Sequence, residues 1–189
     1  ENSTQKVYRF GALVELKSCN NKVRYTYDYN RKLKSVKLNG IENYVQYSYV
    51  ESKDSTGAII KETVTATYKS NDKFVSERDG KGNLLKLTTN DVVQIENTYD
   101  KKGQLDTLKD KVTGKNYKFE RDALDNVIAV YEVDTNDAPI VGRYSESVEY
   151  DQFGNVKKKT VTGPVSQVYE YTFKSDSSRA LESISVGNV

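Results

Sequence analysis

Two short stretches of the chain, Tyr99–Leu105 (YDKKGQL) and Tyr150–Val156 (YDQFGNV), spell almost the same seven letters. Both contain Asp, two variable residues, Gly, then Asn or Gln, and finally an aliphatic residue. Asp at the first position can accept hydrogen bonds from backbone N–H groups a few residues further on, and Gly at the fourth suits a positive φ. The pattern therefore predicts a tight turn between two β-strands.

Copies of this motif, named here the Asp turn, occur along the whole chain. Including looser copies, they begin at residues 8, 28, 54, 79, 100, 122, 151 and 176. The first copy, Tyr8–Leu13, lacks the Asp, and Arg31 and Arg179 stand where other copies have Gly, so we expect the turns at these two arginines to differ. The aspartates assigned to structural turns are Asp28, Asp54, Asp79, Asp100, Asp122, Asp151 and Asp176.

A second type of turn signal lies between successive Asp turns. Asn39-Gly40 is the strongest of these hairpin signals, and the longest of them is Asp134–Pro139. One repeated unit with loops of varying length explains the uneven spacing of the motifs. The alternation predicts an all-β fold, an antiparallel up-and-down meander of about sixteen short strands with the Asp turns along one edge.

The strands are expected to have one wet face and one packed face. Before each Asp turn the residue two positions back is polar, as at Thr98, and the residue five positions back is apolar in six of seven cases, Glu146 being the exception. After the turn, apolar residues recur at an odd spacing, as at Leu84 and Leu87. This spacing predicts a β-bulge soon after each Asp turn.

We expect one domain over residues 1–189, with residues 1–6 as a flexible N-terminal segment. Sixteen strands leave two unpaired edges, which predicts closure into a soluble β-barrel, either open inside or flattened into two sheets. Strands such as Leu105–Lys111 and Val156–Val161 carry lysines, which cost about 2–4 kcal/mol each at a bilayer midplane. A membrane-spanning barrel is therefore not expected.

Composition excludes several kinds of chemistry. Net charge is +2 with both signs interspersed, so no nucleic-acid partner is expected, and the chain has no His and a single cysteine, Cys19. We predict no metal, no cofactor and no catalytic residue. The alternative is a glycosidase that uses two of the 27 acidic side chains.

Tyrosine is abundant, with 15 residues in the chain, and several tyrosines lie at predicted inward positions. A flat ring with a hydroxyl group suits a glycan, lipid or peptide ligand, although the same residues can instead be core and cross-strand pairs. The candidate ligand-binding residues are Tyr25, Tyr27, Tyr49, Tyr117 and Tyr171. The sequence thus predicts a non-catalytic binding or interaction module.

The stretches Tyr27-Asp28, Tyr99–Gly103 and Tyr150–Gly154 resemble YD repeats, the β-hairpin repeats of Rhs-type toxin shells and teneurins. Asn83, Gln104 and Asn155 occupy the place of the usual Arg. In length, Tyr and Lys content and spacing, the whole chain resembles a gut-bacterial family of secreted, lipoprotein-type domains of unknown function with a porin-like fold.

The lipoprotein-family resemblance implies a closed or nearly closed, porin-like β-barrel, a periplasmic or cell-surface location and no assigned activity. It leaves open whether the chain is lipid-anchored through a removed segment before Glu1. Besides the glycosidase, the second functional alternative is a passive YD-repeat-like shell.

Overall fold

The computed structural model describes residues 4–175 and 179–189, and these form sixteen β-strands without a helix. Each strand is hydrogen-bonded to the strands that precede and follow it in the chain. The strands are β1 (Thr4–Arg9), β2 (Ala12–Ser18), β3 (Asn21–Tyr27), β4 (Leu33–Leu38), β5 (Ile41–Lys53), β6 (Ile59–Tyr68), β7 (Lys73–Asp79), β8 (Leu84–Thr89), β9 (Val92–Tyr99), β10 (Leu105–Asp110), β11 (Lys115–Arg121), β12 (Val127–Val133), β13 (Ser145–Tyr150), β14 (Val156–Thr162), β15 (Gln167–Phe173) and β16 (Leu181–Asn188).

The predicted antiparallel meander of sixteen strands is confirmed, whereas closure into a barrel is not. The order of strands begins at β1 and ends at β16, and among the described residues no pairing joins these two strands. Every residue of β16 is exposed, as are all residues of β1 except Val7. Both strands therefore present an open sheet edge.

The chain divides into two compact units, Glu1–Glu96 and Asn97–Val189. Unit 1 contains β1 to β8 and most of β9, and unit 2 contains the remainder. That the whole chain forms a single domain stays a prediction, as does the flexibility of residues 1–6, of which residues 4–6 lie in β1.

The bulge predicted after the Asp turns is confirmed at five of them. In the hairpin of β3 and β4, Tyr27 pairs with Leu33 and Thr26 pairs with Ser35, so Lys34 is the extra residue. The same one-residue shift occurs next to the turns at Asp54, Asp79, Asp122 and Asp151. The bulge explains the odd apolar spacing, because one inserted residue restores the following side chains to the same face.

Burial in the interior is sparse. Among the described residues only Val45 and Val133 are buried apolar residues, and Thr107 and Glu132 are buried polar ones. Most strand residues are half-buried. The expected alternation of exposed and more covered residues is present in β3 and in part of β5, whereas β8 is half-buried along its whole length and β12 contains no exposed residue.

Candidate interaction surface

The Asp turns share one hydrogen-bond pattern, which fixes the ends of the hairpins. In the turn at Asp79, the Asp79 backbone N–H donates to the Asn83 carbonyl at 3.0 Å, and the Gly82 N–H donates to the Asp79 carbonyl at 2.9 Å. The Asp79 carboxylate accepts from the backbone N–H groups of Lys81 and Asn83, both at 2.9 Å. The Asn83 side-chain amide donates to the second carboxylate oxygen at 2.9 Å.

The same backbone pattern recurs at the turns that begin with Asp28, Asp54, Asp100, Asp122 and Asp151. In each of these turns the carboxylate accepts from the backbone N–H four residues on. Asp176 lies outside the described residues.

Hydrogen bonds lower the pKa of several turn aspartates. The Asn126 side chain lowers the pKa of Asp122, and the Asn155 side chain lowers that of Asp151, although partial burial opposes both shifts. At Asp79 burial raises the pKa, but hydrogen bonds to Asn83 outweigh it and the net shift is downward. The ionised carboxylate is thus the form that caps the turn.

The expectation that the turn at Arg31 would differ is wrong. Arg31 has a φ of 63° and its N–H donates to the Asp28 carbonyl at 3.1 Å, as Gly does in other copies. The first copy does differ: Phe10 and Gly11, with φ of 49° and 80°, form a two-residue turn.

One further Asp turn was not predicted from the sequence. Asp134, placed in the second class of turns, accepts from the backbone N–H groups of Asn136 at 2.8 Å and Ala138 at 3.0 Å. Asp137 occupies the Gly position with a φ of 63°. The signal that could have found it is Asp at the fourth place, the substitution already present at Asp125 in the turn of Asp122.

The side chains that project from one side of the sheet in unit 1 form a surface rich in tyrosine. Along β5, Val45 is buried, Tyr47 and Tyr49 are half-buried, and Gln46 and Ser48 between them are exposed. Residues paired directly across antiparallel strands share a side of the sheet, which places the following residues together. We call this set the tyrosine face: Val23, Tyr25, Val36, Val45, Tyr47, Tyr49, Val64, Ala66, Tyr68 and Phe74.

Aromatic rings contact one another on the tyrosine face and at its border, where Tyr44 lies. Tyr68 makes edge contacts with Tyr44, at 6.4 Å between ring centroids, and with Phe74, at 5.4 Å. Partial burial, together with the nearby Tyr68 and Tyr25, raises the pKa of Tyr47. These rings therefore pack against each other while keeping one side accessible.

Three tyrosine hydroxyls donate hydrogen bonds where the backbone pairing of neighbouring strands stops. The Tyr27 hydroxyl donates to the Leu13 carbonyl at 2.8 Å, and the Tyr49 hydroxyl donates to the Leu33 carbonyl at the same distance. In unit 2 the Tyr150 hydroxyl donates to the Val127 carbonyl at 2.9 Å. Each acceptor is the aliphatic residue that ends an Asp turn or its two-residue counterpart, so these phenols replace missing ladder hydrogen bonds.

The corresponding surface of unit 2 is more polar. Tyr117 makes an edge contact with Tyr144 at 6.2 Å, and the Tyr144 hydroxyl donates to Glu146 at 2.8 Å. Glu146 also pairs with Lys159 at 2.8 Å. This network accounts for Glu146, the one polar residue at an otherwise apolar motif position.

The five candidate ligand-binding tyrosines are divided between the two units, three in unit 1 and two in unit 2. Tyr25 and Tyr27 line a common cleft of about 420 Å³ in unit 1. Tyr49 lies on the tyrosine face with Lys32 5.0 Å from its ring centroid. Tyr117 and Tyr171 belong to unit 2, where Tyr171 pairs with Ile184 across β15 and β16. Their role in ligand binding stays a prediction.

Unit 2 contains a further cleft, of about 500 Å³, that sequence analysis did not find. The segment from Pro139 to Ser145 forms much of its wall, and Tyr131 and Thr162 complete it. It depends on the loop that the Asp134 turn opens, and nothing in the local sequence marks that loop as a wall.

No group of three or more potential metal-ligating side chains comes together in residues 4–175 and 179–189. The same residues contain no helix of the length and apolarity needed to cross a membrane.

Comparison with known proteins gives a likeness of fold. No protein-family model matches the chain, and no curated protein matches it. Among solved structures, the crystal structure of TcdB2-TccC3 matches with a TM-score of 0.64 at 15% identity, over 94% of this chain and 10% of that one. TcdB2-TccC3 without its hypervariable C-terminal region gives 0.62 at 14%, with the same coverage.

A mutant Tc holotoxin pore from Photorhabdus luminescens gives a TM-score of 0.61 at 14% identity, over 92% of this chain and 10% of that one. The chain thus spans a tenth of the length of these solved chains. At this identity the likeness shows the fold alone, a YD-repeat-like antiparallel sheet. It supports the YD-repeat resemblance at that level, and the resemblance to a gut-bacterial lipoprotein family has no support from these comparisons.

Proposed function

We propose that this YD-repeat-like sheet is a non-catalytic structural and interaction domain whose tyrosine face packs against another polypeptide surface. The likeness to segments of much longer Tc toxin chains supports this proposal, because in a longer protein such a sheet has neighbours to pack against. The open edges β1 and β16 are compatible with further strands on either side.

The main support for the proposal is the solvent-accessible surface area of the chain, which is 12896 Å². A folded monomer of 21.4 kDa is expected to expose about 9,100 Å², and two separate domains of half that mass about 11,000 Å² together. Large, stable interfaces bury about 2,000–5,000 Å² in total, or about 1,000–2,500 Å² on each partner, so the excess of about 2,000–4,000 Å² on this chain is enough for at least one such interface.

The tyrosine face suits the centre of such an interface. Tyrosine and phenylalanine are enriched at interface cores, and charged groups are depleted there. Val45, Tyr47 and Tyr49 alternate with exposed polar residues on the other side of β5. Contact with a partner would remove the remaining solvent from these rings at little cost in conformational entropy.

The acidic side chains support a non-catalytic role. A glycosidase needs one carboxyl group with a raised pKa. Every carboxyl pKa shift resolved in the described residues is downward, including that of Asp151. The largest is at Glu15, where three cationic side chains outweigh partial burial and lower the pKa to about 2.

An extracytoplasmic location, which the family resemblance implies, is the remaining part of the proposal. Protease accessibility on intact cells tests it.

The test compares two substitutions on opposite sides of β5. The purified chain should bind a hydrophobic dye and associate with rising concentration in sedimentation velocity. Tyr47→Lys should reduce both, because it places a charge in the tyrosine face, whereas Ser48→Lys on the other side should not. Circular dichroism checks that both variants fold.

Hydroxyl-radical footprinting of the wild-type chain gives a readout that needs no variant. Tyr47 should be oxidised in dilute solution and protected as the chain associates. A chain that stays monomeric, binds no dye and has an unreactive Tyr47 contradicts the proposal.

A further inference from the structure

The cleft in unit 1 combines aromatic rings with cationic groups. It has a volume of about 420 Å³, within the range of small-ligand sites. The end of β1 supplies Arg9, the turn that follows supplies Phe10, β3 supplies Tyr25 and Tyr27, and the turn at Asp28 supplies Arg31. Ala12 and Val14 of β2 add an apolar wall.

The polar groups of this cleft are available to a ligand. Within residues 4–175 and 179–189, the guanidinium groups of Arg9 and Arg31 have no carboxylate partner, and the Tyr25 hydroxyl has no hydrogen-bond partner. The neighbouring Tyr27 hydroxyl is held by the Leu13 carbonyl at 2.8 Å, which fixes that ring as part of the wall. Other basic residues of unit 1, such as Arg24 and Lys32, are paired with glutamates.

Two residues of the cleft hold an unfavourable backbone conformation. Arg31 has a φ of 63° where the turns at Asp54, Asp79, Asp100 and Asp151 have Gly, and Phe10 has a φ of 49° while 94% exposed. Residues other than Gly adopt this region infrequently. It also occurs at Cys19 and Arg179, which lie outside the cleft, so here it reflects the turns that place Phe10 and Arg31 at the cleft.

We propose that this cleft binds an organic carboxylate attached to an aromatic or aliphatic group. The two guanidinium groups suit the carboxylate, because arginine forms paired hydrogen bonds with both of its oxygens. Phe10, Tyr25 and Val14 provide the surface for the apolar group, and the Tyr25 hydroxyl adds a donor. The carboxylate can come from a free organic acid or from an acidic side chain of a peptide.

The experiment is a titration of the wild-type chain with 3-phenylpropionate, followed by NMR or calorimetry, with 3-phenylpropionamide as the neutral counterpart. The acid should bind and the amide should not. Arg31→Gln and Arg9→Gln should each weaken binding about tenfold. Lys69→Gln, an exposed residue of unit 1 outside the cleft, removes the same charge and should leave binding unchanged.

A capped peptide with aspartate beside phenylalanine separates the two sources of the carboxylate. Tighter binding of the peptide assigns the cleft to peptides, and tighter binding of the free acid assigns it to small acids; either order supports the site. Equal binding of acid and amide, no binding up to about 10 mM, or unchanged binding by Arg31→Gln overturns the proposal. The cleft shares Tyr25 with the tyrosine face, but Tyr47 does not line it, so Tyr47→Lys should weaken association while acid binding remains.

Discussion

The turns at Asp79 and Asp28 have the same hydrogen-bond skeleton but lie beside differently paired strands. Next to Asp79, the ladder of β6 and β7 continues to the pair Lys61 and Asp79. Next to Asp28, the pairing of β2 and β3 stops at Glu15 and Arg24. The Tyr27 phenol closes the gap that follows.

The residue that follows the aspartate differs between the two turns in accordance with this difference in pairing. Gly80 follows Asp79, and a Cβ at Gly80 would lie 2.1 Å from the Ile59 carbonyl oxygen. Tyr29 follows Asp28 and is 94% exposed. One motif therefore tolerates either the smallest or a large side chain at this place, depending on how far the adjacent hairpin extends.

The largest expected effect is that of Gly80→Ala. The added methyl overlaps the backbone of β6, which has to move, and we expect a loss of about 1–3 kcal/mol in the free energy of unfolding. Tyr29→Ala, at the matching place, should be close to neutral. Urea denaturation of both variants measures this difference, and equal stabilities would show that the two strand ends are packed alike.

The next effect is that of Asp79→Ala. It leaves the N–H groups of Lys81 and Asn83 without their carboxylate acceptor, at a cost of about 1–2 kcal/mol. Asp79→Asn keeps one acceptor oxygen and should cost less. Thermal unfolding of the two variants gives the comparison; a loss in Asp79→Asn as large as in Asp79→Ala would mean that charge, not hydrogen bonding, holds the turn.

Arg31→Gly should stabilise the chain. Relief of the positive φ is worth about 1 kcal/mol, because Gly has no Cβ to clash in this region. The measurement is the urea midpoint at constant slope. If the cleft binds carboxylates, the same variant should lose that binding while it gains stability, and a less stable variant would contradict the strain argument.

The smallest expected effect per residue is the loss of folding stability at acidic pH. Because the pKa values of Asp54, Asp100, Asp122 and Asp151 are lowered in the folded chain, their stabilisation is fully present above the ordinary Asp pKa. It is lost as the pH falls below about 4 and through the folded values. Unfolding measured between pH 6 and pH 2 should therefore show a steady decline, and Asp122→Asn should decline less.

The features that the sequence predicts best are those that depend on local interactions. Asn39-Gly40 forms the expected hairpin turn, with φ of 47° and 86°, between β4 and β5. The bulge after the Asp turns followed from the odd spacing of residues such as Leu84 and Leu87. Both features depend on a few neighbouring residues, because the hydrogen bonds that form them join residues of the same hairpin.

Predictions that depend on distant residues were less successful. Barrel closure was inferred from the number of strands, but the pairing of β1 with β16 is a long-range contact that no local pattern encodes. The packed face expected on each strand is mostly half-buried, because the pattern of apolar residues along a strand does not fix how completely they are buried. The Arg31 turn was misjudged because the Asp28 hydrogen bonds outweigh the strain at Arg31.

The sequence by itself determined the sixteen strands, their order and their turns, since each hairpin is closed by hydrogen bonds among residues adjacent in the chain. Only the tertiary structure decided which tyrosines seal gaps between strands, which line the cleft with Arg9 and Arg31, and why position 80 must be Gly. Those outcomes depend on how far each pair of strands stays together, which is set by contacts between successive hairpins and not by the residues of one hairpin alone.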